Sequence, residues 1–197
     1  DEEELMDMQA AFDALSAKQR GVAAEAKSYV PPFLQIKASA IAEWAETIAS
    51  RGRFAVFLRN LVNSTGLQIS RIDFPGNDDA ERPGWDGYVE VGEGTPWVPA
   101  GTSGWEFGVN ADPKKKADGD YASRVAGLTI EDRGQTTFVF VTPRRWPGKA
   151  EWEKSKRSEK EWKDVRAYDA SDLEQWLEQS IPAQAWFANE RDIPSDG

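Results

Sequence analysis

Two acids stand at positions that ordinary surface or turn roles explain poorly. Asp86 lies in Arg82-Pro83-Gly84-Trp85-Asp86-Gly87, at the head of a short strand signal, and Glu106 is the only charge in Gly104-Trp105-Glu106-Phe107-Gly108-Val109. Strand side chains alternate, so Glu106 shares a face with Gly108 and Asn110 while Trp105, Phe107 and Val109 take the other; Asp86, Tyr88 and Glu90 likewise share a face. A hairpin through the loop 92–103 brings Asp86 and Glu106 together at one end of a sheet. Two carboxylates held that close repel and raise a pKa unless a divalent cation lies between them. The plainer alternative keeps Asp86 as a turn residue ahead of Gly87 and Glu106 as a solvent-facing acid.

Carboxylates matter more here because other chemistry is missing. The 197 residues include no histidine and no cysteine, which excludes His-dependent serine triads, Cys nucleophiles, zinc ribbons and disulfides. Acids, Lys, Arg, Tyr and hydroxyls remain, and acids favour hard ions such as magnesium or manganese. The net charge is −10, unevenly spread. Residues 72–112 hold nine acids against one base, whereas residues 143–166 hold nine bases (Arg144, Arg145, Lys149, Lys154, Lys156, Arg157, Lys160, Lys163, Arg166) against five acids. That permits an acidic pocket beside a basic strip, although a solvated helix face also explains the strip. Nine Trp and nine Phe supply a core. No apolar run approaches the ~18 residues that span a bilayer, and with no signal peptide evident the expected location is the cytoplasm, away from membranes. A start at Asp1 fits a domain excised from a longer protein.

The elements that must position these acids follow from periodicity. Leu5, Met8, Phe12 and Leu15 form one helical stripe before Pro31-Pro32, so residues 1–35 are expected to be an acidic helical extension and linker, with homodimerisation one possible role. Residues 36–190 form the main domain. Ser39 is expected to cap a helix carrying Ile41, Trp44 and Ile48 that closes near Gly52, and a second helix carries Phe54, Phe57, Leu58, Leu61 and Val62 up to Gly66. Strands are expected over 67–74, 87–91 and 104–109, then a helix over 114–125 opened by Asp112-Pro113. A buried strand follows at 136–142, a helix at 150–162, a strand at 165–168 and a helix opened by a Ser171/Glu174 capping box and ended by Pro182. The order α-β-β-β-α-β-α-β-α predicts an α/β fold with a central mixed sheet flanked by helices.

Over about residues 37–180 this order resembles the PD-(D/E)XK nuclease superfamily, in its Mrr-like restriction-endonuclease branch. The resemblance rests on Gly84-Trp85-Asp86-Gly87 and Trp105-Glu106-Phe107 as the Asp- and Glu-bearing strands, on the strand at 136–142, and on Tyr168-Asp169-Ala170-Ser171-Asp172-Leu173 as the closing strand and helix. It implies a restriction-endonuclease-like core in which Asp86, Glu106 and the Phe107 carbonyl hold magnesium (or manganese), so that a bound water is acidified and charge on the scissile phosphate is offset. It further implies a DNA-cleaving effector attached to other domains or subunits of a bacterial restriction or antiphage defence protein.

The family pattern places a lysine two residues after the Glu, where this chain has Gly108. One explanation moves the ammonium to the next helix, with Lys116 the first choice and Lys114 the second; three lysines at a helix N-terminus oppose its dipole by ~0.3–1 kcal/mol each, which suggests a use. The other is an inactive nuclease fold that binds nucleic acid or protein without cutting. Lys115, Arg124, Arg144, Arg145 and Lys149 are the expected DNA contacts, with Tyr121 lining the same groove and Trp146 available to stack on a base. Core anchoring explains Trp146, Trp152 and Trp162 equally well. Asp73 is a candidate third metal ligand or a turn residue before Pro75-Gly76.

Overall fold

The computed structural model describes residues 36–75 and 84–191; the expected N-terminal helix and Arg82-Pro83 lie outside them. Two helices come first, α1 (Ala38–Trp44) and α2 (Ile48–Thr65), followed by β1 (Leu67–Asp73), β2 (Gly87–Glu93) and β3 (Gly101–Phe107). Then come α3 (Pro113–Gly127), α4 (Ile130–Gln135), β4 (Thr136–Val141), α5 (Lys149–Ser158), β5 (Asp164–Tyr168), α6 (Ala170–Leu177) and α7 (Ile181–Glu190). The sheet order is β1-β2-β3-β4-β5. The first two pairings are antiparallel and the last two parallel, so the fold is α/β with a mixed five-stranded sheet flanked by helices.

Each face of the sheet has its own core. Val89, Val91, Trp105, Val139 and Val141 share a core with α1, α2, α6 and α7 through Trp44, Phe57, Leu61, Trp176 and Phe187. Phe138, Phe140, Val165 and Ala167 point the other way, onto Ala117 and Tyr121 of α3 and onto Trp146, Trp152 and Trp162. All six residues of β4 are buried, as a strand covered on both faces requires.

Several helix boundaries differ from expectation. The first two helices part at Ala45–Thr47, not at Gly52, because the Thr47 side chain accepts from the Ser50 N–H and starts α2 there; Ser39 caps nothing, the N-cap of α1 being Lys37. The cap of α6 is Asp169, whose carboxylate accepts from the N–H groups of Ser171 and Asp172 while Asp172 bonds back to the Asp169 N–H. Pro182 does not end that helix but lies in the first turn of α7, behind the Ser180 N-cap, where a missing N–H costs nothing. No helix among the described residues is long and apolar enough to cross a membrane.

Candidate active site

In β2, Gly87, Val89 and Val91 are buried and Tyr88 and Glu90 half-buried, the alternation of a strand with one face on the core. Its antiparallel register with β3 runs from Val91↔Gly101 to Gly87↔Trp105, so one further step sets Asp86 opposite Glu106. Asp86 is fixed there by its Oδ2, which accepts from the Phe107 N–H at 3.1 Å. Glu106 is no solvent-facing acid: only 2% of its surface is exposed. Its carboxyl is pushed up to about 8, first by burial and then by the neighbouring charge of Asp86, against the lowering pull of Arg124.

Close packing holds the chain segment before Asp86. The Trp85 ring lies over Gly104, where any Cβ would overlap its ring carbons, and it packs on Phe138 and Trp162. Glycine at 104 is therefore required by the approach of the indole, not by backbone conformation.

Helix α3 supplies the positive charge. Asp112 caps it by accepting from the Lys115 N–H at 3.0 Å, with Pro113 in the first turn. Ala117 and Tyr121 are its buried residues. The adjacent stripe, Lys116, Asp120 and Arg124 at four-residue spacing, meets the end of β3. The Lys116 ammonium lies 2.7 Å from both Asp120 oxygens, and its stem crosses Gly108: a Cβ on that glycine would stand 3.0 Å from the lysine Cε. The guanidinium of Arg124 donates to Glu106 and to the Gly84 carbonyl, and it sits 5.1 Å from the centre of the Trp85 ring. Burial holds the Asp120 carboxyl above its ordinary value, opposed by Lys116. Three acids and two bases thus share one cluster.

A cavity of about 570 Å³ opens beside this cluster, with Arg51, Asp86, Gly108, Asn110, Lys116 and Arg144 on its wall together with Phe107. Glu106 lies behind that wall. Asp86, Glu106 and the Phe107 carbonyl are oxygen donors of the kind a magnesium ion takes while keeping several waters, so the donor set fits; Arg124 is the group already on Glu106. Among the described residues there is no cluster of three or more acidic side chains that would hold an ion by themselves.

The other expected residues divide. Arg144 reaches the cavity, donating to the Val109 carbonyl at 2.6 Å and pairing with Glu46. Lys114 pairs with Asp118 at 2.7 Å and is off the wall, as are the exposed Lys115 and Arg145 and the exposed Asp73. The Lys149 ammonium is held between Asp169 and Asp172, bracing α5 to the α6 cap. Trp146, Trp152, Trp162 and Tyr121 are buried; they anchor the second core, so Trp146 has no face for a base and Tyr121 does not line a groove. Asp120 and Arg51 were not foreseen. The spacing Lys116, Asp120, Arg124 was a readable signal for the first; nothing in sequence marked the second. Comparisons of the chain with protein-family profiles, with curated proteins and with solved structures return no match.

Proposed function

We propose that this chain is a magnesium-dependent endonuclease domain with a restriction-endonuclease-like core, hydrolysing phosphodiester bonds in DNA. The observation that carries the reading is the placement of the Lys116 stem across Gly108, beside the Asp86–Glu106 pair. An ammonium delivered from α3 stands in for the lysine that β3 lacks.

Asp86, Glu106 and the Phe107 carbonyl would hold the ion, which when bound acidifies water and offsets charge on the phosphate. Lys116 orients the attacking water and neutralises the non-bridging oxygens. Asp120 positions Lys116 by holding its ammonium at 2.7 Å. Arg124 balances Glu106 until an ion arrives. A cytoplasmic location and membership of a larger bacterial restriction or defence protein belong to the same proposal; the membership rests on the resemblance.

A second reading, an inactive module of the same fold, is favoured by the Arg124–Glu106 ion pair and by Glu106 lying off the cavity wall. Plasmid incubated with the protein and magnesium or manganese separates the two. The nuclease reading expects cleavage by wild type and loss in Asp86→Ala, Glu106→Ala and Lys116→Ala. Cleavage that survives both carboxylate substitutions overturns the site, and no cleavage with either ion leaves the inactive module.

A further inference from the structure

The cavity has a second wall that the catalytic reading does not use. Arg51, from the first turn of α2, faces the same space as Asp86, Asn110 and Lys116, with Arg144 beside it. These three cations are not equally committed. Lys116 is matched by Asp120 and Arg144 by Glu46, whereas the Arg51 side chain makes no ion pair or hydrogen bond with any described residue. A cation near the N-terminus of a helix opposes the helix dipole, so folding does not favour this placement. The pair that occupies Arg144 is also readily exchanged, because the Glu46 side chain is 68% exposed and solvent-exposed ion pairs are weak.

We infer that Arg51, assisted by Asn110 and Arg144, forms a phosphate subsite for the nucleotide next to the bond being cut. The inference rests on the nuclease reading for its substrate. A space of about 570 Å³ is ample for a phosphate and its sugar. The planar guanidinium of Arg51 can grip two phosphate oxygens at once, which the point charge of a lysine cannot. The phosphate has two sources: a diester within a continuous strand, or a monoester at a strand end, which carries up to one more negative charge.

The test measures binding of fluorescent oligonucleotides to the full 197-residue chain in EDTA, across a salt series. The strands are 5′-phosphorylated, 5′-hydroxyl, or closed circular. Arg51→Ala is compared with Arg51→Lys and with Arg59→Ala, an exposed arginine of the same helix that is off the cavity wall. Arg51→Ala is expected to weaken binding about tenfold and to lower the slope of log affinity against log salt by about one. Arg51→Lys should recover the slope but only part of the affinity, and Arg59→Ala should match wild type. Equal losses on all three strands assign an internal diester; a loss confined to the phosphorylated end assigns a terminal monoester. Unchanged binding in Arg51→Ala, or an equal loss in Arg59→Ala, overturns the subsite. If Arg51-dependent binding persists without cleavage in magnesium or manganese, the nuclease reading alone fails.

Discussion

Glu106→Gln is expected to stabilise the metal-free protein at alkaline pH while changing it little near pH 5. The unfolded chain releases the Glu106 proton near 4.5, whereas the folded chain keeps it up to about 8. Between those values the folded state binds the extra proton, so stability falls as pH rises, by at most ~1.4 kcal/mol per pH unit. Below the window both states are protonated and nothing is lost; above it the loss is complete. Carrying the carboxyl from 4.5 to about 8 amounts to roughly 5 kcal/mol at most, using 1.36 kcal/mol per pH unit, a large share of the ~5–15 kcal/mol that holds a domain together. Glutamine keeps the shape and an acceptor oxygen for Arg124 but has no proton to lose. Urea denaturation followed by tryptophan fluorescence in EDTA, from pH 5 to 9, measures the effect. Wild type should lose stability through this range, more steeply than Glu106→Gln, and the variant should be the more stable by several kcal/mol at pH 8.5. Parallel curves for the two proteins, or a variant that is less stable at pH 8.5, would refute the assignment of a buried, charge-strained carboxyl at this position.

Arg124→Met removes the guanidinium from Glu106 and Gly84; it is expected to cost about 1.5–3 kcal/mol of metal-free stability at neutral pH and, on the nuclease proposal, to tighten manganese binding measured by calorimetry, because the resident cation no longer competes for Glu106. Gly104→Val drives a side chain into the Trp85 ring; a loss of ~1–3 kcal/mol is expected, with a shift in tryptophan emission as the indole leaves its seat on Phe138 and Trp162.

What the sequence disclosed was whatever depends on near neighbours. The Asp112-Pro113 cap of α3 and the apolar periods of α2 and β4 are local, and the Asp86–Glu106 juxtaposition needed only hairpin register arithmetic. The misplaced boundaries share a cause: several side chains competed for one role. Thr47 has the Ser50 N–H within reach and opens a new helix there, and Asp169 rather than Ser171 caps α6, where it also accepts from the Trp146 N–H at 2.9 Å and meets the Lys149 ammonium. Those last two contacts are tertiary and leave no local trace. The fate of each basic residue was hidden for the same reason. Arg124, Arg144 and Lys149 were equivalent charges in sequence, yet each is committed to a different carboxylate, and which one depends on how α3 and α5 rotate against the sheet.

Gly108 and Lys116 are best understood as one feature. A side chain at 108 would place its Cβ 2.8 Å from the Asn110 Oδ1 and 3.0 Å from the Lys116 Cε, so the ends of both side chains would have to shift to admit it. The glycine leaves room for the course that the Lys116 stem takes. A charge carried on a helix is held differently from one carried on a strand. A strand lysine points where the pleat sends it, while Lys116 needs Asp120, four residues on, to fix its position. That adds a third acid to a site that already contains two, and Arg124, four residues further along, offsets the excess. The stripe 116-120-124 is therefore a linked set, and changing any one of its members should alter the electrostatics of the other two.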